Sequence, residues 1–419
     1  MSLRPLLVIV HRWFGLAAAV FLFIAGATGA VISWDHELDA WLNPQLFQAR
    51  SAEQAQQSPP GKVMPGLQLA NLVEEQDPRL RVTYVMTESE PGHTSSMMVE
   101  ARVDPATKQP YDLGFNQIAV DPVTGEIQGK RMWGAVSLSR ENLLPFLYKL
   151  HYTMHLPDVG GIELGVWLMG IIGVVWTLDC FIALWLSFPN WRSWRKSFAF
   201  RWRQGGHKLN FDLHRSGGVW LWILLLILAV TSVSMNLERP VMRPIILSLS
   251  TLTPTAFDTR APKAPAQAQA VDAKVSREQV VAQAASEGQR RGWTSPVGGV
   301  FYSSAFGLYG VGFFEVGNDH GDVGLGNAWL YFDADSGAAA GGKIPGTGSA
   351  GDLFLQAQFP LHSGRILGIP GRIMISLLGA AVALLSVTGV IIWARKRRAR
   401  QSSARQAGAI ASSRPATAK

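Results

Sequence analysis

Four histidines stand in matched positions along this 419-residue chain. His11-Arg12 and His214-Arg215 each open an apolar stretch and are followed by Gly15 or by Gly217-Gly218. His151, after Leu150, and His362, after Leu361, each stand just ahead of a further apolar stretch. An imidazole can give one ring nitrogen to a metal while the other nitrogen is used to orient it, and two such rings on separate helices can grip a flat macrocycle from both faces. The chain has no CxxCH sequence, so haem held this way would be b-type. The single cysteine, Cys180, excludes an intramolecular disulfide and any Cys-ligated zinc or iron–sulfur centre. The expectation is two haem b groups, one between His11 and His214 and one between His151 and His362.

Around these ligands, Gly15, Gly217, Gly218, Gly364 and Gly368 offer room for a macrocycle. Arg12, Arg215 and Arg365 are candidates to pair with its propionates, although Arg12 and Arg215 serve equally as cytoplasmic anchors. His155 is the alternative to His151, because four residues along a helix share a face, and the two together could instead chelate a lone ion. His36, His93, His207 and His320 have no repeat partner and read as ordinary solvated or satisfied side chains. Asp179 is an isolated acid inside an apolar stretch, where it has either a proton or quinol role or a Trp or Ser partner on a neighbouring helix. Glu163 reads as a solvated boundary residue.

The elements that must position these groups are four apolar stretches at 13–34, 163–188, 217–237 and 373–393. Each reaches the roughly 20 residues needed to cross about 30 Å of hydrocarbon as a helix. The first, ending in small residues at Ala27–Ala30, also resembles a secretory signal; its length and its His11-Arg12 opening favour a retained helix. Basic residues cluster at Arg192, Arg195, Lys196, Arg201, Arg203 and Lys208, and again at Arg395-Lys396-Arg397-Arg398, which marks both segments as cytoplasmic. The net charge of +8 then suits anionic lipid headgroups and needs no nucleic-acid partner. Tryptophans such as Trp34, Trp185, Trp191, Trp194 and Trp393 fit interfacial belts.

The resulting fold class is a membrane α-helical protein: a four-helix bundle with two external α+β domains, arranged as a duplicated helix–domain–helix unit. The expected boundaries are a first span within 1–34, a first external domain at 35–150, a histidine segment and second span at 151–188, and a cytoplasmic loop at 189–213. A third span at 214–238, a second external domain at 239–361, a histidine segment and fourth span at 362–394, and a basic tail at 395–419 complete the chain. The duplication extends into the external segments. Asp121-Pro122-Val123-Thr124-Gly125 reads as a tight turn between strands, and Asp333-Ala334-Asp335-Ser336-Gly337 repeats it, with Gly125 26 positions ahead of His151 and Gly337 25 ahead of His362. Alternation over Leu80-Arg81-Val82-Thr83-Tyr84-Val85 places a small sheet within 60–130. Segment 250–275 reads as a linker, Arg277 to Gly288 as a helix and 298–316 as strands.

These residues together resemble the PepSY-associated transmembrane proteins, which include inner-membrane ferric-siderophore reductases of Gram-negative bacteria. The likeness covers nearly the whole chain. It is carried by His11-Arg12-Trp13-Phe14-Gly15, by Leu150-His151-Tyr152-Thr153-Met154-His155-Leu156-Pro157, by Asp212-Leu213-His214-Arg215, by Leu361-His362-Ser363-Gly364, and by the two Asp-x-x-x-Gly turns that are typical of PepSY modules. Asp179-Cys180 depart from the small or apolar residues expected there. The resemblance implies reduction of a ferric siderophore on the periplasmic side of an inner membrane, next to the His151 and His362 centre, with both termini cytoplasmic. The chain has neither a Walker sequence nor a strand-to-helix G-x-G-x-x-G, so the electron donor would be membrane quinol or a separate reductase. The competing readings are a b-type cytochrome passing electrons between quinol and a protein partner, and a non-enzymatic inhibitor or sensor without haem.

Overall fold

The computed structural model describes residues 3–54, 62–263, 269 and 272–412. In chain order its main elements are α1 (Leu3–Ile32), α2 (Gly66–Gln76), β1 (Leu80–Met86), β2 (Ser95–Ala101), β3 (Gln117–Val120), β4 (Ile127–Arg131), α3 (Leu143–Thr153), α4 (Leu164–Ser187), α5 (Gly206–Trp220) and α6 (Trp222–Asn236). They continue with α7 (Arg277–Arg290), β5 (Val297–Ser303), β6 (Leu308–Phe313), β7 (Ala328–Asp333), β8 (Ala339–Lys343), α8 (Ala350–Ser363) and α9 (Ile369–Ser412). Two compact units emerge: a helical unit of residues 1–33, 150–242 and 373–419, and a sheet unit of residues 34–149 and 243–372. Of the expected linker at 250–275, residues 264–268, 270 and 271 lie outside the described residues, as do 413–419 of the expected basic tail.

In the helical unit, α1, α4 and α9 are long and apolar enough to cross a membrane. The fourth expected span is different. The stretch 217–237 is not one straight helix, because α5 and α6 meet at Leu221 with a bend of 72°, so four spans result only if this pair counts as one. The run Ser216-Gly217-Gly218 lies just ahead of the break, and paired Gly and Ser residues are a common cause of such kinks. The helices meet through small residues. A Cβ added to Gly26 of α1 would lie 2.6 Å from the Gly379 carbonyl of α9, and one added to Gly379 would lie 2.6 Å from that of Gly26. In lipid, where apolar surface gains nothing by leaving the tails, such backbone-to-backbone contact is what draws helices together. The Ser376 hydroxyl strengthens the crossing by donating to the Ala30 carbonyl, and in α4 Gly170 and Gly173 make room for the Leu237 and Val233 side chains.

The sheet unit corrects the expectation of two separate external domains. Each segment supplies a helix and a four-stranded antiparallel meander, α2 with β1–β4 and α7 with β5–β8, but the strands run β8-β7-β6-β5-β1-β2-β3-β4 in one eight-stranded sheet. The joint is the antiparallel pair β1–β5, with Tyr84 opposite Phe301, Val85 opposite Val300 and Met86 opposite Gly299. One core spans it, containing Leu69 and Val73 of α2, Val85, Met97 and Ile118 of the first meander, Val280 and Ala284 of α7, and Val300, Val311 and Leu330 of the second. Half a sheet would leave β1 as a bare apolar edge, and pairing with β5 removes that edge from both halves.

The two turns in the sheet are built alike. The Asp121 carboxylate accepts from the amides of Val123 and Thr124, and that of Asp333 from the amides of Asp335 and Ser336. Gly125 and Gly337 close the turns at φ of 74° and 72°, a conformation that favours glycine.

Candidate functional site: a histidine pair and two Thr-Gly cradles

His11 on α1 and His214 on α5 face each other with ring centres 6.2 Å apart and planes tilted by 47°. A metal bonded to one nitrogen of each ring at about 2 Å, with each ring centre roughly 1 Å behind its nitrogen, would put the centres about 6 Å apart. The observed spacing therefore fits two ligands of one central ion. Across the ring from such an ion, each Nδ1 is already engaged. That of His11 donates to the Asp179 carboxylate on α4, at 2.9 and 3.0 Å from its two oxygens. That of His214 lies 3.0 Å from the Leu385 carbonyl and 3.2 Å from the Thr388 hydroxyl on α9. The Thr388 hydroxyl spends its own proton on the Leu384 carbonyl, so towards His214 it is an acceptor. The proton of His214 must then sit on Nδ1, which leaves Nε2 with a free lone pair, the arrangement of a ligating histidine oriented by its surroundings.

His151, at the end of α3, is seated by the same device on α1. Its Nδ1 is 3.1 Å from the Thr28 hydroxyl, which donates its proton to the Ile24 carbonyl, and the ring also hydrogen-bonds the Ala25 carbonyl. A Cβ built on Gly29 would lie 2.9 Å from His151 Cε1, and one on Gly389 would lie 2.9 Å from His214 Cε1. Ala25, Thr28 and Gly29 thus do for His151 what Leu385, Thr388 and Gly389 do for His214: carbonyl and hydroxyl fix the ring, and glycine lets it lie against the helix. Along α1, the 17 residues from His11 to Thr28 correspond to about 25 Å, so the two sites lie at opposite ends of one span.

The other expected site residues are distributed as follows. His362 belongs to the sheet unit, near the C-terminus of α8. His155 does not share a helical face with His151, because α3 ends at Thr153 and both Met154 and His155 take φ of 52°, so the chain has turned away before the fourth residue is reached. Arg365 gives one guanidinium nitrogen to Asp322 at 2.5 Å. Arg12 lies over the Trp13 ring and Arg215 over Phe211, and each has a buried Nε without a hydrogen-bond partner, leaving donors for an anion near His11 and His214. One turn beyond those histidines, a Cβ added to Gly15 or Gly218 would meet no atom within 4 Å, which is room for a flat group against both helices. Gly364 and Gly368 serve the backbone instead, at φ of 76° and 63° around a short helical turn. Glu163 is exposed in the ribbon formed by Asp158–Val159 and Ile162–Glu163. His320 is hydrogen-bonded to Asp319, and His36 packs edge-on against Phe47.

Sequence reasoning missed Thr28, Gly29, Thr388 and Gly389. A signal was present: Thr28 and Thr231 each follow their span-opening histidine, His11 or His214, by 17 residues, and Thr177 and Thr388 follow His151 and His362 by 26. Among the described residues, no three or more His, Cys, Asp or Glu side chains converge to hold a lone metal ion. Paired rings with engaged Nδ1 atoms, glycines that leave space and apolar crossing helices are the furnishings of a membrane protein rather than of a soluble metal site. The chain belongs to the family described as the PepSY-associated TM region, whose model matches residues 8–396. No curated protein matches it.

Proposed function

We propose that this protein is a two-haem b-type membrane cytochrome that reduces ferric siderophores on the periplasmic side of a bacterial inner membrane, so that the weakly held ferrous iron is released. The observation that carries the reading is the His11–His214 pair, with its 6.2 Å ring separation and both Nδ1 atoms engaged. His11 and His214 would hold the inner haem through Nε2, with Arg12 and Arg215 as donors to its propionates, and His151 with His362 would hold the outer one. Bound haem would supply one-electron transfer between the two faces. The chain's own residues fix the ring planes and leave space along α1 and α5. The electron donor is quinol or a separate reductase, and the substrate is the ferric chelate itself.

The sheet supports the assumed topology. Strands from residues 80–131 and 297–343 share one sheet, so the chain between them crosses the membrane an even number of times. With α4 as one crossing, the bent α5–α6 pair is the return. The basic residues of the 189–213 connection support a cytoplasmic position for that connection and for both termini.

The test begins with the visible spectrum of the purified full-length protein and continues with dithionite-reduced protein mixed with a ferric hydroxamate. Two low-spin haems that are reoxidised by the chelate support the reading. Haem that is not reoxidised by the chelate but is by quinone or a protein acceptor favours the plain cytochrome, and absence of haem ends the proposal in favour of a sensor or inhibitor.

A further inference from the structure

The two ligands of the inner site are held by chemically unequal partners. His11 donates its Nδ1 proton to a carboxylate, with both oxygens of Asp179 within 3.0 Å, whereas His214 rests on a neutral carbonyl and a neutral hydroxyl. His151 is likewise seated on the Thr28 hydroxyl and the Ala25 carbonyl. Of the two rings of the inner site, it is that of His11 that hydrogen-bonds an acid. The duplication makes the difference specific. Asp179 follows His151 by 28 residues, and the residue that follows His362 by 28 is Val390. Thr177, the counterpart of Thr388, likewise donates to a carbonyl of its own helix, that of Gly173, and two residues further on it is Asp179 that meets the histidine. Asp179 is largely buried in the C-terminal half of apolar α4, a costly placement that calls for a return.

We infer that Asp179 is a positioning residue that tunes the inner haem, lowering its potential. This rests on the haem reading above. A carboxylate that accepts the Nδ1 proton pushes electron density onto Nε2, so His11 becomes a stronger donor to the iron and favours the ferric state. The negative charge itself acts in the same direction, since it lies near the metal within apolar surroundings where screening is weak. Lowering the inner potential favours outward electron flow, which suits a donor on the cytoplasmic side and an acceptor on the periplasmic side.

The experiment is a spectroelectrochemical redox titration of the full-length protein in nanodiscs, comparing the wild type, Asp179→Asn and Asp179→Glu, with haem content measured first. Asparagine keeps the size and an acceptor oxygen but removes the charge. The expected result is unchanged haem content in Asp179→Asn, with one potential raised by at least tenfold in the reduction equilibrium constant, about 59 mV for a one-electron couple, and the other unmoved. Asp179→Glu should return most of that shift. Two unmoved potentials in Asp179→Asn, or two moved equally, overturn the inference while the haem reading stands. Should Asp179→Asn shed the inner haem, Asp179→Glu decides: retention with a wild-type potential supports the role of charge, and loss as in asparagine overturns it. Wild-type protein without haem overturns the parent reading, and is seen before any potential is measured.

Discussion

Thr28 and Thr388 seat two different histidines in the same way. Each spends its hydroxyl proton on its own helix, accepts from the Nδ1 of a histidine on another element, and is followed by a glycine against which the ring lies. The two threonines stand on spans at opposite ends of the sequence, so one device has been built twice to position imidazoles at the two ends of the helical unit.

The first prediction separates the two centres. His11→Ala or His214→Ala should remove one of two haems, and His151→Ala or His362→Ala the other, as read by pyridine haemochrome assay on each purified variant. Loss of both haems from any one replacement would show that the pairing is wrong.

The glycine of a cradle should matter as much as its threonine. In Gly389→Ala the new methyl meets His214 Cε1 at 2.9 Å and must push the ring away from its acceptors. Thr388→Val keeps the shape but removes the hydroxyl acceptor, a kind of change that costs about 10–100-fold in metal affinity at other sites. Both variants should speed transfer of the inner haem to apomyoglobin while leaving the outer haem unaffected. Equal rates for wild type and variants would exclude the cradle as a ligand support.

Helix packing at the α1–α9 crossing predicts a stability effect without a redox one. A side chain at Gly26 collides with backbone rather than with a movable side chain, so Gly26→Val should destabilise the protein by about 1–3 kcal/mol. Thermal unfolding in detergent, followed by circular dichroism, should show a lower midpoint. The potentials of any haem retained should stay at wild-type values.

In the sheet unit, the Asp333 carboxyl is held down to about 2, first by the Ser336 hydroxyl, with the amides of Ser336 and Asp335 and the Arg260 guanidinium adding to it. A carboxyl whose folded value lies below its ordinary 3.8 stabilises the fold fully above about pH 4 and loses that contribution as the pH falls towards 2. The contribution is at most about 2 kcal/mol. Asp333→Asn should therefore melt below the wild type at pH 7, with the gap closing by pH 2. A gap independent of pH would mean that the turn depends on shape alone.

Much of this architecture was legible from spacing. The pairing of His11 with His214 followed from matched motifs, and the twin turns at Asp121 and Asp333 from matched Asp and Gly residues, because both are local patterns that duplication preserves. What escaped the sequence was long-range. Nothing near Asp179 indicates that its partner is His11, 168 positions away. The strand pair β1–β5 joins residues more than two hundred positions apart, and period-two alternation reads the same for a strand at a sheet's edge and for one at its centre. The bend at Leu221 was hidden by hydropathy, which averages through a break of one residue, and the turn at Met154 and His155 was hidden because neither residue is one that usually takes positive φ.

The shared sheet also sets a timetable for biogenesis. β1 leaves the ribosome about 215 residues before the strand that must pair with it, an interval of roughly 10–40 s at ordinary elongation rates. During that time α4 and the bent α5–α6 pair must be made before Val300 can reach Val85. Until then the nascent protein carries an open, apolar strand edge, the kind of template on which other chains assemble. Safe manufacture of this protein therefore depends on how quickly its second half follows, or on a chaperone that shields β1 while it waits.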